Sequence, residues 1–212
     1  YSKGGAEMRI VLGLLMLAAA INTADAQPFF GRDLSLSGDL IHLMEVSGEV
    51  NFIDASDPTA LVWLGAIDPN PEGWIAGVKV ASYGTTAYLI EQRSADPGHA
   101  ILTVIDASSP SAPVEVMRIN YPEGRRVAGL AVDAERAVLF AGYDQLCSYD
   151  LSDPLQPVLI QQIDLDYYRP VAEIQLQGET AYCAQGLLDE YSDDIFGIAL
   201  VDASDPAAML EL

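Results

Sequence analysis

An all-β fold of about four four-stranded blades is what this sequence predicts, and two observations carry the prediction. One phrase recurs four times, as DASDP at 54–58, DASSP at 106–110, DLSDP at 150–154 and DASDP at 202–206, at spacings of 52, 44 and 52 residues. A self-similar period of that length marks propellers, solenoids or arrays. Each interval also divides into four short runs of strand-forming residues, and four strands per repeat make the blade of a β-propeller.

The strands fall in the same order in every unit, here called a, b, c and d. The first unit, about 33–65, reads DLSLS from Asp33, DLIHLME from Asp39, EVNFID from Glu49 and ALVWLG from Ala60. The second, about 66–119, alternates from Ala76 to Tyr83, then runs Thr86 to Glu91, Ala100 to Asp106 and Pro113 to Ile119. The third, about 120–163, gives VAGLAV from Val127, RAVLFA from Arg136, QLCSYD from Gln145 and PVLIQQI from Pro157. The fourth, about 164–212, gives VAEIQL from Val171, TAYCAQ from Thr180, FGIALVD from Phe196 and a last strand from Ala208 to the chain end. Four blades make the smallest typical propeller, so a fragment of a larger propeller is also an expectation.

The phrase itself has a local explanation as the turn from strand c to strand d. An aspartate that ends a strand accepts a hydrogen bond from the backbone N–H two residues on, serine does the same more weakly, and proline holds the preceding residue extended. The residues concerned are Asp54, Ser56 and Pro58, then Asp106, Ser108 and Pro110, then Asp150, Ser152 and Pro154, then Asp202, Ser204 and Pro206. Asp54, Asp57, Asp150, Asp153, Asp202 and Asp205 are hard oxygen ligands, but their spacing is not that of a calcium loop. Pro113 and Pro157 then lead into strand d, which suits an outer edge where a missing donor costs little.

On these residues the units resemble LVIVD repeats: an apolar run, then D-x-S-D-P, then an apolar strand, with G-x-x-A-Y earlier in the unit. Gly84 to Tyr88 (GTTAY) and Gly178 to Tyr182 (GETAY) match that second element, Ala134 to Val138 departs from it, and Gly38 to His42 keeps only the glycine. The resemblance spans residues 33–212. It implies a propeller-like repeat domain, often on exported or cell-surface prokaryotic proteins, with no general activity attached.

The chain is acidic, with 31 Asp and Glu against ten Lys and Arg and a formal net charge of −21. That balance speaks against nucleic acid as a partner, because phosphate backbones are held by basic clusters. Residues 1–7 precede the plausible initiator Met8 as an upstream or cloning remnant, and residues 8–26 read as a signal peptide. Met8 and Arg9 open it, Ile10 to Ala20 is apolar, and Ala24-Asp25-Ala26 before Gln27 is a small-x-small cleavage pattern. The mature chain, 27–212, has no run long enough to span a bilayer and is expected in the periplasm, outside the cell or on its surface.

Strand direction sorts the loops onto two ends. The a–b and c–d turns share one end, the bottom, with the constant phrase; the b–c loops and the d–a links share the top, where the units differ. Variable loops on a rigid repeat commonly carry its binding surface. Trp74, Arg93, Arg125, Arg126, Tyr168 and Arg169 fall at the top, where arginine forks and an aromatic wall suit a small anion such as a carboxylate, sugar acid or phosphate. Ordinary surface arginines paired with Glu72, Glu123 and Asp166 are the competing reading. The loop LLDEYSDD offers Asp189, Glu190, Asp193 and Asp194 as calcium ligands, against a simple solvated acidic loop.

Cys183 aligns with Leu43, Leu89 and Leu139, and Cys147 with Asn51, Thr103 and Ala199, which leaves a disulfide between them open. Two separate histidines disfavour a histidine-ligated catalytic metal, and no nucleophile elbow, zincin pair, P-loop or dinucleotide fingerprint occurs. The leading reading is an exported binding or scaffolding module for a surface polymer, a protein or a small anion, with no cofactor beyond calcium. The alternative is a propeller enzyme of hydrolase or oxidoreductase class with its site at the central opening.

Overall fold

The computed structural model describes residues 31–69, 75–93, 100–121, 129–142, 145–165, 171–185 and 197–212. Among the described residues sixteen strands form four antiparallel sheets. The first holds β1 (Gly31–Ser37), β2 (Leu40–Glu45), β3 (Val50–Asp54) and β4 (Val62–Ile67), and the second β5 (Ile75–Tyr83), β6 (Thr86–Arg93), β7 (Ala100–Asp106) and β8 (Val114–Asn120). The third holds β9 (Gly129–Asp133), β10 (Val138–Gly142), β11 (Gln145–Asp150) and β12 (Val158–Asp164), and the fourth β13 (Val171–Gln177), β14 (Thr180–Gln185), β15 (Gly197–Asp202) and β16 (Leu210–Glu211). Strands follow chain order within each sheet, so β4, β8, β12 and β16 are outer edges. This is the all-β, blade-like architecture that the repeats predict.

Gly38, Gly84 and Gly178 sit at φ of +60°, +59° and +59° in the two-residue a–b turns. Glycine reaches that left-handed region without a Cβ penalty, which is why it begins the G-x-x-A-Y element. The third blade is different. Its turn is two residues longer, Ala137 takes the positive φ at +53°, and Asp133 Oδ1 accepts the N–H groups of Glu135 and Arg136 at 3.0 and 3.1 Å. Strand β10 therefore starts at Val138 rather than at Arg136. Pairing with strand c then places Cys183 level with Leu43, Leu89 and Ala141, which corrects the alignment to Leu139.

All four phrases form the turn expected of them. The N–H of Ser56, Ser108, Ser152 and Ser204 donates to the aspartate two residues earlier at 2.8, 2.8, 2.9 and 3.0 Å. The next residue along from each leading aspartate is tied to the a–b turn, with Ala55, Ala107, Leu151 and Ala203 donating to the carbonyls of Asp39, Thr85, Ala137 and Glu179. Asp54 and Asp202 are held below the usual carboxylate range chiefly by the backbone N–H groups of Ser56 and Ser204. An oxygen that already accepts an N–H is a poorer cation ligand, so the turn role accounts for the repetition.

The core lies between blades rather than within one. Each sheet packs the face carrying the Tyr88 position, its forward face, on the opposite face of the next sheet. Met44, Val50 and Phe52 meet Val80, Leu89 and Ile105; Tyr88, Ile90, Leu102 and Val104 meet Leu130, Leu139 and Tyr149; Val138, Phe140 and Leu146 meet Ile174, Cys183 and Val201. Burying one such side chain stabilises by roughly 1.5–3 kcal/mol, so the junctions dominate stability. Cys147 and Cys183 are buried in different clusters and are not joined by a disulfide, and burial pushes the Cys183 thiol up to about 12.

The phrases also fasten one blade to the next. Tyr88 Oη donates to the Pro154 carbonyl at 2.8 Å, and Ser148 Oγ to the Pro206 carbonyl at 2.7 Å. Gly65 lies against the Pro110 carbonyl so closely that a Cβ there would collide with it. Arg136 ties the third a–b turn to the Ala203 carbonyl in the fourth phrase. A motif that looks local in sequence is thus shared across junctions.

Candidate functional site

Inner strands β1, β5, β9 and β13 together line a central cavity of about 460 Å³. Ladder pairing puts Asp33, Lys79, Gly129 and Glu173 at one level, opposite Met44, Ile90, Gly142 and Ala184. In three blades an irregularity in the ladder immediately precedes that level, between Gly31 and Asp33, Gly77 and Lys79, and Val171 and Glu173. The acid Glu173 therefore corresponds to Gly129 and Lys79, not to Gly77 as alignment of the V/I-A-G/E segments suggests. Strand β5 is longer at its start, and only the turn fixes its register.

Those residues form one charged cluster. Lys79 Nζ donates to Glu173 Oε2 and lies 3.8 Å from Asp33 Oδ1. Asp33 Oδ2 accepts the Val80 N–H at 2.9 Å. Burial raises the Asp33 carboxyl above its ordinary value, opposed by the Val80 N–H and by Lys79. Gly129 lets the third blade close on the fourth at this level: its Cβ would stand 2.7 Å from Val171 Cγ1 and 2.9 Å from Ile174 Cγ1. Deeper along the cavity Ser35 and Ser82 share a 2.7 Å hydrogen bond and Gln175 adds an amide. Acid, base, hydroxyl and amide groups of this kind can hold a polar ligand.

A second polar group sits at the top end of strand b. Glu91 is fully buried, accepts from Thr103 Oγ1, and has no partner for Oε1. Burial raises its carboxyl, with Thr103 and Arg118 acting against the rise. Arg118 binds Glu115 and the Pro69 carbonyl in the link between the first two blades. The first blade repeats the theme with Asn51, which donates to Glu45 at 3.1 Å and accepts from Trp63 Nε1 at 2.9 Å.

The sequence candidates Trp74, Arg125, Arg126, Tyr168 and Arg169, and the acidic loop with Asp189, Glu190, Asp193 and Asp194, lie outside the described residues. Of Arg93 only the backbone is described, at the end of β6 and paired with Ile75. Asp33, Lys79 and Glu173 were missed as site residues. A signal was present: Lys79 is the single lysine after Lys3, in an inner strand, and Glu173 breaks a V/I-A-G pattern. Among the described residues no group of three or more His, Cys, Asp and Glu side chains could hold a metal ion, and no helix is long and apolar enough to cross a membrane.

Residues 98–121, which contain strand c, the phrase and strand d of the second blade, match the family model described as LVIVD repeat. The chain carries an LVIVD repeat. No curated protein matches it. Among solved structures, a chain of the mitotic checkpoint complex matches with a TM-score of 0.60 at 12% identity, over 84% of this chain and 51% of that one. The β-propeller domain of Cps50 (Swd1) from Myceliophteria thermophila matches at 0.51 and 12% identity, over 82% of this chain and 57% of that one. The extracellular domain of the putative hybrid two-component system BT4673 from B. thetaiotaomicron matches at 0.54 and 13% identity, over 90% of this chain and 23% of that one. These likenesses show a β-propeller fold, and the chain spans about half the length of the mitotic checkpoint chain and of the Cps50 domain.

Proposed function

We propose that this LVIVD-repeat chain is an exported binding module that takes its ligand at the top of the central opening. The observation that carries the reading is the cavity lined by all four inner strands, with Asp33, Lys79 and Glu173 gathered at the end where the d–a links enter. The bottom end is occupied by constant turns. Lys79 is already engaged by two carboxylates, so an anionic group on a ligand falls to the arginines that the sequence assigns to the links, Arg125, Arg126 and Arg169, with Trp74, Tyr168 and Arg93 as the further sequence candidates. A sugar acid meets both halves of such a site: its carboxylate suits an arginine fork and its hydroxyls suit Asp33, Glu173, Ser35 and Gln175. The signal-like segment 8–26 and the likeness to an extracellular domain support export.

Titration calorimetry with uronic-acid oligomers tests the reading. Binding should be lost when Arg125, Arg126 and Arg169 are all replaced by Ala, and unchanged affinity in that variant would refute the assignment. Calcium at Asp189, Glu190, Asp193 and Asp194 belongs to the same reading. Absence of both heat and thermal shift at millimolar calcium would remove it.

A further inference from the structure

We infer that Lys79 sets the specificity of the central cavity: it is a built-in cation, seated against Asp33 and Glu173 where a metal ion or a ligand ammonium would otherwise sit, and it reserves the cavity for uncharged, hydroxyl-bearing groups. This rests on the cavity being the ligand site proposed above, and adds which chemistry that site refuses.

Charge and hydrogen-bonding capacity carry the assignment. Among the described residues that line the cavity only Asp33, Lys79 and Glu173 are charged, two acids against one base. They come from three different blades, so neither a turn nor strand pairing brings them together. Lys79 is the one lysine beyond Lys3, kept on an inner strand of a chain whose net charge is −21. Its ammonium is a compact point charge with three donors, the side-chain group nearest in kind to a bound cation. Nζ donates to Glu173 Oε2 and lies 3.8 Å from Asp33 Oδ1, while Asp33 Oδ2 accepts the Val80 N–H. Glu173 adds to the rise of the Asp33 carboxyl and Lys79 opposes it. Without Lys79 the two acids repel each other and lack a counter-charge, the condition in which a pair of carboxylates takes up another cation or a proton.

Three kinds of ligand group therefore fare differently. A carboxylate or phosphate meets an ammonium already committed to two acids. A cation finds its position filled by like charge. A hydroxyl donates to the remaining lone pairs of Asp33 and Glu173, and accepts from the Gln175 amide or from whichever of Ser35 and Ser82 has its proton free.

Calorimetry and thermal melting of the parent, Lys79→Met and Glu173→Gln, each checked for its fold by circular dichroism, test the assignment. Calcium should raise the Tm of Lys79→Met beyond any rise in the parent, the loop acids being common to both. The same variant should bind glucosamine oligomers about tenfold more tightly than the parent does, the scale of one charge-assisted hydrogen bond. Glu173 is the more open of the two acids, 41% against 22% exposed, so its replacement disturbs packing least. Glu173→Gln leaves the ammonium only Asp33 as a counter-charge and should bind galacturonate about tenfold more tightly than the parent, a result that does not need Lys79→Met to fold. A folded Lys79→Met that gains neither calcium nor glucosamine binding would overturn the assignment, as would a parent that binds glucosamine oligomers equally well or a Glu173→Gln chain with parental affinity for galacturonate. A parent that ignores uronic-acid oligomers while Lys79→Met still gains calcium would remove the ligand proposed above and leave the exclusion of cations by Lys79 standing.

Discussion

His42 makes the fold of the first blade sensitive to acid, and the size of the effect follows from its surroundings. Its ring is buried, edge-on to Phe52 at a centroid distance of 5.4 Å, and neither ring nitrogen has a hydrogen-bond partner. Burial pushes its pKa down from 6.5 to about 4. The folded chain thus keeps His42 neutral in a window where the unfolded chain takes up a proton, so stability falls as pH drops from 6.5 to about 4 and levels off below. At about 1.4 kcal/mol per pH unit, the gap is worth about 3 kcal/mol. His42→Phe is the suitable variant, since Phe140 fills the same position in the third blade. Urea unfolding followed by circular dichroism at pH 7.5, 6, 5 and 4 should show the parent losing about 3 kcal/mol more than the variant. Comparing the two removes the carboxylates common to both. Parallel pH profiles would refute the reasoning.

Three further outcomes follow from the junctions and from Glu91. Gly65→Ala places a Cβ against the Pro110 carbonyl and 2.9 Å from Ser111 Cα, both backbone, so relief requires the first two blades to separate. Overpacking of that kind costs about 1–3 kcal/mol, a fall in Tm of about 2–12 °C for a chain of this size, and an unchanged melting curve would count against a tight junction. Tyr88→Phe leaves the Pro154 carbonyl without its donor and should lower stability by about 1 kcal/mol in denaturant titration, with little change in slope. Glu91→Gln should stabilise at neutral pH. The raised carboxyl contributes stability below its unfolded value that is lost as pH rises through the folded value, so the gain should vanish at about pH 4 or below; a pH-independent gain would mean that Glu91 does not titrate there.

Much of the blade pattern was legible because strand runs and turns are local. The Asp54 to Pro58 phrase states its own hydrogen bonds, and Gly84 and Gly178 announce a positive φ. Register was legible only where the turn is regular. In the third blade Ala137 takes over the glycine's conformation within a longer loop, which moves Leu139 away from Leu89 and brings Ala141 there. The charged cluster was hidden for a related reason: Asp33, Lys79 and Glu173 share no motif, and the strand-start irregularities misalign them in sequence. Nothing local shows that Gly129 is where the third blade closes on Val171 and Ile174 of the fourth.

The amino-acid sequence by itself determined the unit of this protein, four strands closed by an Asx turn, because those interactions span only a few residues. Tertiary structure alone decided what each unit does for its neighbours. Tyr88 and Tyr182 stand in the same G-x-x-A-Y element, yet one is sealed under the Pro154 turn and the other is open to solvent. The physical reason is that an apolar face is stabilised only by what covers it, and the repeated motif does not record what covers each copy.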